Sequence, residues 1–400
     1  MSLLPVDEAI DLVLQRVPAP APETTPLHEA AGRVLFEPLI ASHNQPPFNA
    51  SAMDGYAVRA ADVVVGRALR LIGMSQAGKG FDGELGLGEA VRIFTGAPVP
   101  PGADTVIMQE QAEVHGTDVL FTAAPRQGHS VRPLGSDFAK GQQLIEAGTL
   151  LSPFHLGVAA AANTPRLTVA KRPKIALLAT GDELVTPGSL LRADQIVASN
   201  SFALAPLLRP YAEDVLDHGI SRDDRDELRS KLAAIFATEP DVVITTGGAS
   251  VGDHDIVQDL LLEMGVSLDF WRINMRPGKP LMFGTIGKTL VFGLPGNPVS
   301  ALVTALVFIR PALRQWLGFK TETFWKLPLA ALTPPNTARR HFMRAKLVQT
   351  GSGPRALPIS ITDSGHTSSL ADADLLIVQP EFDPGQAEGT IVDIVPVGSF

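Results

Sequence analysis

Apolar positions near the start of the chain repeat with the period of a helix. Val6, Ala9, Ile10, Val13, Leu14 and Val17 fall on one face. The stretch "TPLHEAAGRVL" then predicts a second short helix closed by Gly32. From about residue 42 to 150 the pattern shortens. Runs such as "ALRLIG", "AVRIF", "DTVIM" and "VLFTA" are separated by Gly and Pro, which predicts a β-rich region. At "RPKIALLATGDEL" buried-strand runs begin to alternate with amphipathic helical stretches. "KIALLAT", "AEDVLDHGI", "DVVITTGG", "SLDFWRI" and "TLVFG" read as strands. "SNSFALAPLLRP", "RDDRDELRSKLAAIFA", "DHDIVQDLLLEMG" and "NPVSALVTALVFIRPAL" read as helices, the last capped by Asn297 with Pro298 at its first position. This alternation predicts an α/β domain over roughly 171–318, with a mostly parallel sheet covered on both faces. From about 319 the rhythm stops. "LPLAALT", "HFMRAKLVQT", "RALPISI", "ADLLIVQP" and "TIVDIVPV" predict a small terminal β-barrel or sandwich.

Composition narrows the function. At 400 residues the chain is long enough for two to four domains. Its formal charge of −9 argues against a broad nucleic-acid surface, and it has no cysteine for disulfides or thiolate metal sites. The acidic start, with Asp7, Glu8 and Asp11, lacks the basic region of a signal peptide. The longest apolar run, "VSALVTALVFI", has 11 residues, against about 20 for a membrane span. A soluble, cytoplasmic protein that binds neither nucleic acid nor membrane is expected.

In an open parallel sheet, ligands bind beyond the carboxyl ends of the strands. Three loops fall there: Gly181-Asp182-Glu183, "GGASVGDHD" from Gly247 to Asp255, and "LPGNP" from Leu294 to Pro298. Their glycines let the backbone approach an anion, and the following helix adds its positive end. No loop matches a Walker or dinucleotide-binding pattern. Nearby "RINMRPGKP" supplies Arg272, Arg276 and Lys279, either a solvated basic loop or an oxyanion site. The carboxylates Asp182, Glu183, Asp253 and Asp255 sit beside that anion site and call for a bridging cation, Mg²⁺ being the usual one with phosphates. Asp253 and Asp255 are also suited to cap the next helix. In the β-rich region, Thr95-Gly96 and Gly135-Ser136-Asp137 are polar turns, and "NQPPFNASAMDGYAV" sets the lone carboxylate Asp54 before Gly55.

Taken together, "NASAMDGYAV", "IFTGAPVP", "GSDFAKG", "ATGDEL", Ser199-Asn200, "TTGGASVGDHD", "MRPGKPLMFG" and "GLPGNPVSA" resemble, in order, the motifs of the molybdopterin molybdenumtransferases, the MoeA family that includes gephyrin-like E domains. The resemblance spans about 44–301. It implies a multidomain α/β plus β protein: an extended linking domain (1–45 and 135–170), a β-rich domain (46–134), a three-layer α/β molybdopterin-binding domain (171–318) and a C-terminal β-barrel (319–400). It implies a homodimer with a cleft shared between subunits. It also implies insertion of molybdenum from molybdate into adenylylated molybdopterin, with Mg²⁺-dependent release of AMP. The catalytic positions it implies are Asp54, Thr95, Asp137, Glu183 and Asp255, with Glu183 and Asp255 on the metal. The substrate-binding positions are Asp182, Asp223, Gly247, Gly248, Ser250, Arg272, Arg276, Lys279, Pro295 and Pro298. Gly247, Gly248 and Ser250 would hold phosphates; Arg272, Arg276 and Lys279 would attract molybdate. Arg276 stands where many members carry Lys, and Asp223 is adjacent to Asp224. Arg344 and Ser368 are polar positions that would face the cleft. The adenylyltransferase of the same pathway is an implied partner. Two rival readings are that adenylyltransferase activity itself, and a non-catalytic scaffold on the same fold; the extra β regions and the retained acidic motifs count against them.

Overall fold

The computed structural model describes residues 3–247, 256–319, 325–360 and 363–398. Gly248, Ser250, Asp253 and Asp255 lie outside the described residues.

The α/β region builds a six-stranded sheet in the order Asp214–Ser221, Lys174–Thr180, Val242–Thr246, Thr289–Leu294, Met282–Ile286, Ser267–Phe270. The first four strands run parallel; the last two join through antiparallel pairings. Strand alternation divides the core. Ile175, Leu177, Val242, Ile244, Leu290 and Phe292 pack against helices Asn200–Leu208 and Pro298–Thr304. Ala176, Leu178, Val243 and Val291 pack against helices Arg225–Ala237 and Ile256–Glu263. Both faces are thus apolar, which is why these strands read as continuous hydrophobic runs. The strand at 282–286 was not among the strands expected from the sequence.

The last helix is interrupted. Residues Pro298–Thr304 and Arg310–Trp316 are α-helical, and Ala305–Ile309 form a π turn between them. Pro311 has no N–H to donate into that turn, so the local widening has a covalent cause.

The N-terminal helix Val6–Arg16 joins the α/β core. Val6, Ala9 and Val13 are buried among Ala305, Ile309 and Leu313. The predicted second helix does not form. Pro22–Pro26 is a strand paired with Arg166–Ala170, and only Leu27–Glu29 makes a 3₁₀ turn. Thr24 and Thr25 sit in that strand, where β-branched side chains fit better than in a helix. A separate core forms here from Leu35, Leu39, Phe138, Ile145, Leu151 and Val169.

Residues 55–121 form a second six-stranded sheet, with Gly55–Val58 between Thr105–Met108 and Glu89–Ile93. The C-terminal strands Gly353–Pro358, Arg340–Thr350, Leu375–Gln379, Ile391–Pro396 and Trp325–Pro328 form a third. It curls until Leu329 bridges Ala356, so its two outer strands meet. Met275–Arg276, from the α/β region, adds a short parallel strand to it at Arg340–His341.

Candidate functional site

In the α/β sheet the chain lays down 174–180, adds 214–221 on one side, then returns to add 242–246 on the other. That reversal leaves a crevice at the carboxyl ends of the strands. A cavity of about 360 Å³ opens there. Its walls include Thr180, Glu183, Asn200, Asp223, Gly247 and the turn Pro295–Pro298. Two glycines make the walls possible. Gly247 has φ +93°, and a Cβ on it would lie 2.2 Å from the Thr180 carbonyl oxygen. Gly181 has φ +150°, and its Cβ would meet the Glu183 carboxylate at 2.6 Å. Asn200 Nδ2 donates to the Gly296 carbonyl at 2.8 Å, tying two of the loops together.

Carboxylates crowd this rim. The Asp223 N–H donates to Asp182 Oδ1 at 3.1 Å. Burial pushes the Asp223 carboxyl above its ordinary value, and the negative charges of Asp182 and Glu183 push it further. The neighbour Asp224 has a different task. It caps helix 225–237, accepting from the N–H groups of Asp226 and Glu227. Of the two adjacent aspartates, Asp223 is therefore the one in the cavity wall. Asn297 precedes the helix begun by Pro298, but its side chain makes no cap bond; its Nδ2 donates to Ser364 Oγ at 3.1 Å. Among the described residues, no three His, Asp or Glu side chains gather as a metal cluster.

Asp54 sits in the β-rich region. Its Oδ1 accepts from the Thr95 N–H at 2.7 Å and from Thr95 Oγ1 at 2.8 Å. These two bonds, with a smaller contribution from the Arg92 charge, hold the exposed Asp54 carboxyl below its ordinary value. Gly55 is obligatory: a Cβ there would lie 1.8 Å from the Ile107 carbonyl oxygen. Asn44 and Asn49 accept from the N–H groups of Lys140 and Leu134. They fasten this segment to the loop that carries the exposed Asp137.

The basic loop lies elsewhere. Arg272, Arg276 and Lys279 do not line the cavity, although the next residue, Pro280, does. Arg272 stacks on Trp271, 4.1 Å from the ring centroid. Arg276 is drawn into the C-terminal sheet opposite His341. Burial, and secondarily Arg339, lower the Arg276 pKa. His341 is lowered to about 4 by burial and then by Arg276. Among the described residues, the buried Nε of Arg276 and Nδ1 of His341 have no hydrogen-bond partner. Arg344 bonds to the Ser369 hydroxyl and the Asp363 carbonyl. The buried serine beside it is thus Ser369, while Ser368 is exposed.

Family models match nearly the whole chain: the MoeA N-terminal region (domain I and II) at 4–163, a probable molybdopterin binding domain at 176–315, and the MoeA C-terminal region (domain IV) at 326–397. A molybdopterin molybdenumtransferase of Haemophilus influenzae is 38% identical over 82% of this chain and 80% of its own. One from Staphylococcus aureus is 30% identical over 98% and 95%. The crystal structure of a molybdopterin biosynthesis MoeA protein from Pyrococcus horikoshii superposes with a TM-score of 0.87 at 30% identity, covering 100% of both chains. The chain belongs to the MoeA family.

It is thereby an enzyme of molybdenum cofactor biosynthesis, of the molybdopterin molybdenumtransferase class. Within this MoeA chain, the residues singled out from the sequence fall into three places. Glu183, Asp223, Gly247, Pro295 and Pro298 line one cavity. Asp54 and Thr95 form a pair on the β-rich sheet. Arg276 belongs to the seam with the C-terminal sheet. Sequence reasoning assigned no site role to Asn200 or Thr180, both in the cavity wall with a buried oxygen that has no hydrogen-bond partner among the described residues. The quoted pair Ser199-Asn200 was the available signal. No helix among the described residues is long and apolar enough to cross a membrane.

Proposed function

We propose that this chain transfers molybdenum from molybdate to adenylylated molybdopterin and releases AMP in a Mg²⁺-dependent step. The observation that carries this is a cavity at the sheet's switch point with Glu183 and Asp223 in its wall. Loss of water there, and then the charges of Asp182 and Glu183, push the Asp223 carboxyl up. Carboxylates arranged this way suit a divalent cation completed by phosphate oxygens. Glu183 would hold that cation, with Asp255, which lies outside the described residues, as the expected second ligand. When bound, Mg²⁺ would neutralise charge on the phosphoanhydride.

The protein's own part is positioning. The backbone at Gly247 and the Pro295–Pro298 turn would seat the phosphates, and Asp223, held by Asp182, would orient the attacking water. In the hydrolysis, the water oxygen bonds to phosphorus as the bridging P–O bond breaks. AMP leaves, and the water protons pass to the two phosphates and solvent. The cations Arg272, Arg276 and Lys279, together with Arg344, would attract molybdate, a tetrahedral dianion, at the seam with the C-terminal sheet. Asp54 and Thr95 would complete the cleft from the partner subunit of a homodimer, and Asp137 would lie on the same loop cluster. The protein would work in the cytoplasm and receive its pterin from an adenylyltransferase.

The test is AMP release from adenylylated molybdopterin with and without molybdate. Release stimulated by molybdate and abolished by chelation of Mg²⁺ is expected. ATP-dependent adenylylation instead, or binding without turnover, would overturn the proposal.

A further inference from the structure

Three neighbours touch Asp54 or the peptide after it. Thr95 holds its carboxylate from two donors. The Gln109 N–H donates to its carbonyl oxygen at 3.1 Å. Gly55 follows it, locked against Ile107. One side chain reaches all three surroundings. Arg92 Nη1 donates to the Gly55 carbonyl at 3.1 Å, and Nη2 donates to Gln109 Oε1 at 2.5 Å. Its guanidinium lies 4.9 Å from the Tyr56 ring centroid and 5.0 Å from that of Phe94, the residue before Thr95. Arg92 projects from the strand Glu89–Ile93, in register with Tyr56 on one side and Met74 on the other.

A planar fork with two aromatic faces can satisfy these contacts together; an ammonium cannot. We propose that Arg92 is the positioning residue of Asp54. It fixes the 54–55 peptide, the Gln109 side chain and the Phe94–Thr95 turn, so that the carboxylate and its hydroxyl partner keep one geometry. This rests on the reading of Asp54 as a functional carboxylate. Among the described residues, the charged groups facing the cluster are Arg92 itself and Glu110, whose Oε1 accepts from Gln109 Nε2 at 3.1 Å. Arg92 adds a positive charge to the two Thr95 bonds that already favour ionised Asp54.

The test uses Arg92→Met in the full-length protein, which keeps the apolar stem and removes the fork. Two readouts are needed: turnover of adenylylated molybdopterin, and titration of the Asp54 carboxyl by ¹³C NMR, assigned with Asp54→Asn. We expect kcat to fall about tenfold to a hundredfold with KM for the pterin nearly unchanged, and the Asp54 titration to move up towards the ordinary carboxylate value. Arg92→Lys should restore more of the titration than of kcat. Should Arg92→Met fold poorly, Gln109→Leu, which releases one arm of the fork, should shift both readouts in the same direction by less. A titration and kcat both at wild-type values, even with a lowered Tm, would overturn the proposal. A moved titration with turnover unchanged in both Arg92→Met and Asp54→Asn would support the positioning and sink the functional reading of Asp54 instead.

Discussion

Asp54 and Asp223 are both aspartates on polar loops, yet their surroundings act on them in opposite senses. Asp54 is exposed and has its donors in place, so its negative form is favoured. Asp223 is also exposed, but it loses water in the crevice wall and lies beside other carboxylates, so its negative form is opposed. The first is finished by the chain alone. The second sits on a crevice rim beside Asp182 and Glu183. The difference shows how the same side chain can be favoured as an anion at the end of one sheet and disfavoured as one at the end of another.

The largest effect should come from the crevice that Glu183 and Asp223 line. Glu183→Ala should reduce molybdate-stimulated AMP release by a hundredfold or more without changing the circular dichroism spectrum; near-normal turnover would remove Glu183 from the mechanism. On the other side of the comparison, Asp54→Asn keeps size and removes charge. About a hundredfold loss in kcat is expected, and unchanged turnover would return this loop to a structural role. Lys279→Ala should raise the molybdate concentration needed by about tenfold, while pterin binding holds. Equal weakening of both would place the anion site in the α/β cavity instead.

The smallest effect concerns pH. A carboxyl raised in the folded state binds protons more tightly there than in the unfolded chain. Its contribution to stability therefore declines as pH rises from the unfolded value through the folded one. Asp223→Asn should remove that decline and raise Tm at neutral pH by about a degree, since most of the shift is screened by solvent. For Asp54 the sign reverses: its contribution is present above the unfolded pKa and is lost as pH falls through the folded one. Melting curves from pH 3 to 8 for the two Asn variants should diverge in this way, and parallel curves would abolish the contrast.

Sequence pattern exposed the α/β alternation because both faces of that sheet are buried, leaving uninterrupted apolar runs. The loops at the carboxyl ends followed from the same pattern. What escaped depended on distant pairing. Pro22–Pro26 became a strand because Arg166–Ala170 lies beside it, not because of its own periodicity. Arg276, read from the sequence as part of either a solvated loop or an oxyanion site, lies in the C-terminal sheet because Met275 and Arg276 pair with Arg340 and His341, a contact no local window contains. Asp223 could be separated from Asp224 only by seeing which one caps the helix. Arg92 was invisible for a related reason. Its partners Gly55, Gln109 and Phe94 come from three strands or their ends, and nothing in "AVRIF" marks its arginine as more than a polar position in a strand.

The docking of the N-terminal helix has a consequence for how the chain is made. Val6–Arg16 is made about 300 residues before the surface that buries it. Val6, Ala9 and Val13 need Ala305, Ile309 and Leu313. Leu14 receives a hydrogen bond from Gln315, and Asp7 pairs with Arg340. Throughout synthesis this amphipathic segment must wait with its apolar face uncovered while the domains between are completed. The exposed Asp7, Glu8 and Asp11 give the waiting helix a charged face that favours its solvation until that surface is made.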